Sequence, residues 1–381
     1  MSQCIELFKE FNKKCKSDVF TVGSAIHDCA RIPFSSPKAN RMLYGGIPRG
    51  RITEFAGADQ SGKTTTALDI TGNAQKLFQA EWETAVNSLV SLEKPTKEQT
   101  ALLKELQSVG PKRVLWIDVE NTFDDDWAVR LGVDIEILYY MSPTSEQSAE
   151  MIFEMVVKLI ATGEIGLVVI DSIAMMLSEQ EIEKEIGDKT YGGISMALTR
   201  FSREVVPVCS RTNCALIGIN QLRDNLATGY NGPITKTPGG RCWKHACSVR
   251  LEFRQGSSFD KDYKQVAKNF ENPIGHNVLI SVSKTKVSKP DRKLGQYTLV
   301  YTEGIVPLID AIDEAIKLDV IHQSGAWFTF IDPETGETLV DDEDNVIKIQ
   351  GKNNILPFIS QEENTDIKQF ILKKVNESIY Q

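Results

Sequence analysis

The 381-residue chain is 41% hydrophobic and 25% charged with a formal net charge of −9, the composition of a globular protein with one large core and smaller attachments. Its longest apolar runs, such as 167–170, are far too short to span a bilayer, and no charged-then-apolar leader opens it, so the expectation is a cytoplasmic protein with no membrane partner. The acidic balance excludes a surface coated with nucleic-acid-binding charge but leaves a local basic groove open, and seven cysteines at scattered spacings suggest neither a disulfide framework nor a structural zinc site.

Residues 1–16 place Ile5, Phe8, Phe11 and Cys15 at helical spacing. One short amphipathic helix is not stable alone in water, so it must dock on its own core or on another subunit. Residues 17–50 read as irregular and end in a turn-rich lead around Gly45, Gly46, Pro48 and Gly50. The buried run 52–55 then enters Gly57, Ala58, Asp59, Gln60, Ser61, Gly62, Lys63, Thr64 and Thr65, and a helix is expected from there to about Phe78. Strand, glycine loop, helix is the context of a phosphate-binding loop, because the glycines let backbone N–H groups curl around a phosphate while the helix N-terminus favours negative charge. Lys63 would reach the β- and γ-phosphates, and Thr64 would share a magnesium ion with them.

The charged stretch 79–112 holds a capping-box pair, Thr96 and Gln99, and reads as a peripheral helix or helical hairpin. Three further apolar runs end abruptly in polar residues: 114–117 in Asp118, Val119 and Glu120; 167–170 in Asp171; and 215–219 in Asn220 and Gln221. Continuous hydrophobicity marks strands buried on both faces, and the amphipathic stretches 149–160 and 195–206 supply the covering helices of an α/β fold with a mostly parallel, twisted sheet. Ligands of such sheets bind beyond the strands' carboxyl ends, so the loop, Glu120, Asp171 and Gln221 should converge on one site. Asp171 is the natural second holder of Mg2+, and Glu120 can polarise the attacking water. Beyond Gly240, shorter alternating runs around 249–253, 278–283 and 297–301 predict antiparallel strands, and 284–293 carries five bases against one acid. From about Ile305 a small unit follows, with a helix, the Gly325, Trp327 and Phe328 stretch, an acidic hairpin over 332–344 and a closing helix near 366–379.

These residues carry a specific resemblance. The stretches 46–54 and 57–64, Ile117 to Glu120, 130–134, Val169 to Ser172, 183–188, Ile219 to Arg223, Gly239 with Gly240, 248–251, Lys284 with Lys286 and Gly325 to Trp327 occur in the order and at nearly the spacing of bacterial-type RecA recombinases. The chain resembles that family over roughly 36–330, as a divergent member. The resemblance implies a RecA-like ATPase core at 36–304, a short N-terminal helix and linker at 1–35 and a small α+β domain at 305–381. It implies ATP as the nucleotide, in keeping with the lack of an Asn-Lys-x-Asp guanine motif.

The same resemblance assigns Glu120 to water activation, Gln221 to γ-phosphate sensing, Trp127, Asp124 and Tyr301 to the nucleotide, and Lys284 and Lys286 to the neighbouring subunit's nucleotide. Two loops, 183–193 and 222–240, would line the DNA path with Tyr191, Gly192, Gly193, Arg203, Arg223, Lys236, Gly239, Gly240, Arg241 and Lys244. From Arg223 to Arg250 five bases face one acid, Asp224, which supports DNA binding by local field. The implied function is a DNA-dependent ATPase that forms a homo-oligomeric helical filament on single-stranded DNA, pairs it with double-stranded DNA and exchanges strands. A ring helicase or another oligomeric motor or regulatory ATPase on the same core is the alternative. The chain departs from the family pattern in the length of 79–112, in the acidic hairpin and in His245, which stands where the family has an aromatic.

Overall fold

A computed structural model describes residues 3–15, 29–184, 193–224, 235–267, 269–332, 335–341 and 343–380. Met1–Ala30 and Arg31–Gln381 are separate compact units. In the first, α1 (Gln3–Cys15) is the helix that the apolar spacing predicts.

The second unit begins with β1 (Arg31–Ile32) and β2 (Ile47–Pro48), an antiparallel pair on either side of α2 (Pro37–Met42). Then β3 (Ile52–Gly57) leads through the glycine loop into α3 (Lys63–Val90) and α4 (Lys97–Val109). The helix α3 runs well past Phe78, contrary to expectation. Residues 79–90 contain no glycine or proline to stop it, and Trp82 Nε1 donates to Leu106 O at 2.8 Å, which holds this extension against α4. The capping box at Thr96 and Gln99 starts α4 as predicted.

The chain continues through β4 (Arg113–Asp118), α5 (Asp125–Arg130), β5 (Tyr139–Met141), α6 (Ala149–Ala161), β6 (Ile165–Asp171), α7 (Glu179–Ile182), α8 (Gly193–Thr212) and β7 (Ala215–Gln221). A short antiparallel pair, β8 (Arg223–Asp224) and β9 (Thr235–Lys236), precedes α9 (Gly240–Ala246), β10 (Val249–Phe259), β11 (Gly275–Thr285), β12 (Leu294–Val300) and β13 (Gly304–Ile305). Among the described residues one sheet has the order β13-β12-β11-β10-β3-β7-β6-β4-β5. From β10 to β5 all neighbours are parallel, and from β10 to β13 all are antiparallel. The expected antiparallel extension therefore starts one strand later than predicted, since β10 runs parallel to β3. The helix α8 is also longer than predicted and passes through Pro207.

Burial explains the unbroken apolar runs. Val114, Trp116, Leu167, Val169 and Ile217 pack with Leu68, Ile70 and Phe78 of α3, whereas the alternate residues Leu115, Ile117, Val168, Ile170 and Leu216 pack with Phe153 of α6 and Phe201 of α8. The last two rings stack with centroids 4.2 Å apart. Both faces of each parallel strand are thus covered. The chain ends with α10 (Pro307–Lys317), β14 (Ile321–Ser324), β15 (Trp327–Phe330), β16 (Lys348–Gln350), α11 (Ile355–Ile359) and α12 (Thr365–Glu377) around their own core of Ile312, Ile321, Phe328, Phe330, Ile359 and Ile371. Lys38 of α2 pairs with Asp310 and Asp313 of α10, and Arg41 with Glu314, so α10 is fixed to the larger core by charge as well as by packing. No helix among the described residues is long and apolar enough to cross a membrane.

Candidate functional site

Strand register brings the predicted residues together. Gly57 at the end of β3 lies opposite Gln221 at the end of β7, and Asp118 of β4 lies opposite Asp171 of β6. The turn after β4 folds over β6, with Val119 N and Glu120 N donating to Asp171 O at 2.7 and 3.3 Å. Glu120 Oε1 then accepts from Gln221 Nε2 at 3.2 Å, while Thr64 Oγ1 donates to Asp171 Oδ2 at 2.7 Å. Lys63 curls over its own loop and donates to Ala58 O at 2.7 Å and Gly57 O at 3.1 Å.

Two glycines make this curl possible. Gly62 caps α3 in the left-handed region (φ 93°), and a Cβ on Gly57 would stand 2.5 Å from Ser61 Oγ and 2.8 Å from Phe253 O. Behind the loop, the fully buried Tyr297 hydroxyl lies 2.8 Å from Thr66 Oγ1 and donates to Gly62 O at 3.3 Å.

Electrostatics mark the same cluster. Burial lowers the pKa of the Lys63 ammonium, against the opposing charges of Asp59, Asp171 and Glu120. Burial also raises Asp171 to about 6; the Thr64 hydrogen bond and Lys63 work against this, and the charges of Glu120 and Asp118 add to it. A buried cation beside a carboxylate that is costly to ionise is an arrangement that polyanion and metal together would relieve.

A cavity of about 280 Å³ opens beside the loop, lined by Gln60, Ser61, Gly62, Lys63, Thr64 and Thr65 together with Trp127, His276, Leu299 and Tyr301. Asp124 caps α5 by accepting from Trp127 N at 2.9 Å, which sets the indole at the cavity wall. His276, which sequence reasoning missed, has Nδ1 3.0 Å from the Tyr301 hydroxyl and is held below its ordinary pKa by burial. A single histidine in an alternating strand carries no pattern that would have revealed it. A larger hollow of about 940 Å³, bordered by Lys38, Arg41, Arg254 and Leu294, lies away from this cluster and contains none of the predicted nucleotide residues.

On the other side of β7, Gly239 (φ 99°) and Gly240 (φ 70°) open α9, which carries Arg241 exposed and Lys244 half-buried. Its C-terminal carbonyls are held by the two lysines: Lys284 Nζ donates to Lys244 O and to His245 O, the latter at 3.2 Å, and Lys286 Nζ donates to His245 O at 2.8 Å. Burial first, then the charge of Lys286, lowers the pKa of Lys284. Backbone pairing sets Arg223 opposite Lys236 in the β8–β9 stem. Tyr191 and Gly192, and the segment 225–234, lie outside the described residues. Gly193 (φ 38°) starts α8, and Arg203 is exposed on that helix, roughly 15 Å along its axis at 1.5 Å per residue.

Comparison with known proteins decides what this cluster belongs to. Residues 90–306, more than half of the chain, match the family described as the RecA N-terminal domain. Protein RecA of Ruminococcus albus is 32% identical over 324 residues, covering 84% of this chain and 70% of that protein. Protein RecA of Treponema denticola is 30% identical over 94% of this chain and 72% of its own, a span that takes in the phosphate loop. Protein RecA of Clostridium acetobutylicum is 31% identical over 87% and 78%. The chain belongs to the RecA family. As a RecA family member it is a DNA-dependent ATPase of recombination and repair that binds DNA, oligomerises and promotes strand exchange. This resolves the choice left open by the sequence between a recombinase and a ring motor on the same core.

Proposed function

We propose that this RecA family member binds ATP with Mg2+ at the strand ends and polymerises as a helical filament on single-stranded DNA, each nucleotide lying between adjacent copies. In this reading Lys63 and the amides of the 57–65 loop hold the phosphates, and Trp127, Asp124 and Tyr301 hold the adenosine. Thr64 and Asp171 supply the hard oxygen donors that suit magnesium, whose charge would neutralise that developing on the phosphates. Glu120 polarises the attacking water. Gln221, bonded to Glu120, reports the γ-phosphate to the 222–240 segment. That segment, with Gly193, Arg203, Arg241 and Lys244, then faces DNA. The division into 1–35, 36–304 and 305–381 and a cytoplasmic location belong to the same reading.

The observation that carries it is the contact between Glu120 and Gln221 beside the Thr64 and Asp171 pair. Glu120 and Gln221 meet beside the loop and the Thr64–Asp171 pair, which is where this reading puts the γ-phosphate. A second observation supports the shared site. His276 and Lys284 stand eight residues apart on β11, roughly 27 Å at 3.4 Å per residue, so the lysines are out of reach of the nucleotide that His276 and Tyr301 enclose. Steady-state ATP turnover with and without single-stranded DNA tests the proposal. A strong rise on adding DNA is expected, and turnover indifferent to DNA would refute it.

A further inference from the structure

The segment that leads into α9 is tied to the phosphate-loop strand by one buried carboxylate. Glu54, in the middle of β3, is 0% exposed. Its Oε1 accepts from Asn220 Nδ2 at 2.9 Å and from Trp243 Nε1 at 3.0 Å, and its Oε2 accepts from Arg250 Nε. The donors come from three different elements: β7, α9 and β10. Two of them reach further. Asn220 Nδ2 also donates to Pro238 O at 3.1 Å, and Arg250 Nη2 to Thr237 Oγ1 at 3.2 Å. Asn220 is the residue before Gln221, and residues 237 and 238 are the last before the glycine pair that opens α9.

Ordinary core packing does not need a charge at this place. A buried carboxylate is costly, and losing any one of its donors leaves part of that cost uncompensated, so the four groups keep their mutual geometry and move together. The junction also contains an unpaired group. Both partners of Asn220 Nδ2 are acceptors, which fixes the amide orientation and leaves Asn220 Oδ1 buried with no donor among the described residues.

We propose that the Glu54 junction is the element through which nucleotide and DNA sites are coupled, with Asn220 and Trp243 as positioning residues: a shift of Gln221 on meeting the γ-phosphate moves Asn220, and Glu54 passes it to α9 and the 237–238 segment. The inference rests on the reading that Gln221 senses the nucleotide and that 222–240 meets DNA. It predicts where the coupling free energy is lost, not where either ligand binds.

The test is the factor by which a non-hydrolysable ATP analogue tightens binding of a single-stranded oligonucleotide, measured by fluorescence anisotropy, together with the reciprocal effect of DNA on analogue affinity, which must be equal. In the wild-type protein a factor of about 10 or more is expected. Trp243→Phe, which deletes the N–H donor and keeps an aromatic core, and Asn220→Ser should each bring it to within about twofold of unity, while the affinity for analogue alone stays within about twofold of wild type. A coupling factor retained in either folded variant overturns the proposal. A wild-type factor near one would instead refute the underlying functional reading. If neither variant folds, hydrogen exchange on the wild-type protein decides. Analogue alone, without DNA, should slow exchange of amides in 237–246, and unchanged exchange there would overturn the junction.

Discussion

The two halves of the sheet contribute to the site in different ways. In the parallel half every strand points the same way, so the ends of β3, β4, β6 and β7 lie on one edge and deliver the loop, Glu120, Asp171 and Gln221 to one place. In the antiparallel half strand direction alternates, so functional groups separate. The start of β11 and the residue after β12 bring His276 and Tyr301 to the cavity beside the glycine loop, while the far end of β11 holds Lys284 and the following Lys286 against α9. A parallel sheet gathers chemistry. An antiparallel one spreads it between a molecule's own site and, in our reading, its neighbour's.

Mutations that divide along this line test the contrast. Lys63→Ala should abolish ATP turnover, because no other described cation lines the cavity; measurable turnover would remove the loop from the site. The pair Lys284→Ala and Lys286→Ala should cost about 10³-fold in DNA-stimulated turnover if these lysines act as trans-acting charge, yet leave ATP affinity of the isolated protein unchanged. A large loss of that affinity would place them in their own copy's site. Glu120→Gln should slow turnover by roughly 10²-fold with ATP and DNA binding kept, and loss of ATP binding would make Glu120 structural. Tyr297→Phe removes a buried hydroxyl from behind the loop, and Thr66 keeps its own bond to Gly62 O at 2.7 Å. The expected cost is about 1 kcal/mol, near fivefold in KM, with kcat little changed.

The smallest effect is on pH. Because burial raises Asp171 to about 6, its protonated form accumulates as pH falls through that value, and in our reading the proton would compete with Mg2+ for the carboxylate. Turnover should therefore fall below about pH 6, and raising Mg2+ should move that limb to lower pH. A limb indifferent to Mg2+ would remove Asp171 from the metal site.

What the sequence reveals follows the same division. The apolar runs that end in polar residues expose four of the six parallel strands, β3, β4, β6 and β7, since burial on both faces leaves a nearly continuous pattern and the break marks the strand end; β5 is too short to show it, and the alternation of β10 hides its parallel partner. The antiparallel strands give alternation alone, which says that a strand is there but not that His276 or the Tyr297 hydroxyl faces the nucleotide loop. The extension of α3 to Val90 is hidden for another reason. Its outer turns are held by helix propensity, the Trp82 indole contact and the Arg49–Glu81 ion pair, so no apolar stripe announces them. Glu54 looks like one polar residue within a buried run. Its donors lie 166, 189 and 196 residues further along the chain, a separation at which local pattern carries no information.

The central claim is that each nucleotide is served by the loop and strand ends of one copy, with that copy's own His276 and Tyr301, and by Lys284 and Lys286 of the next. Mixing two inactive variants, Lys63→Ala and the Lys284→Ala, Lys286→Ala pair, tests it directly on single-stranded DNA. In a random equal mixture about a quarter of the interfaces would join an intact loop to intact lysines, so turnover should recover to about a quarter of the wild-type value per copy, as a head-to-tail shared site requires. Turnover no greater than the sum of the two variants measured alone would contradict the account.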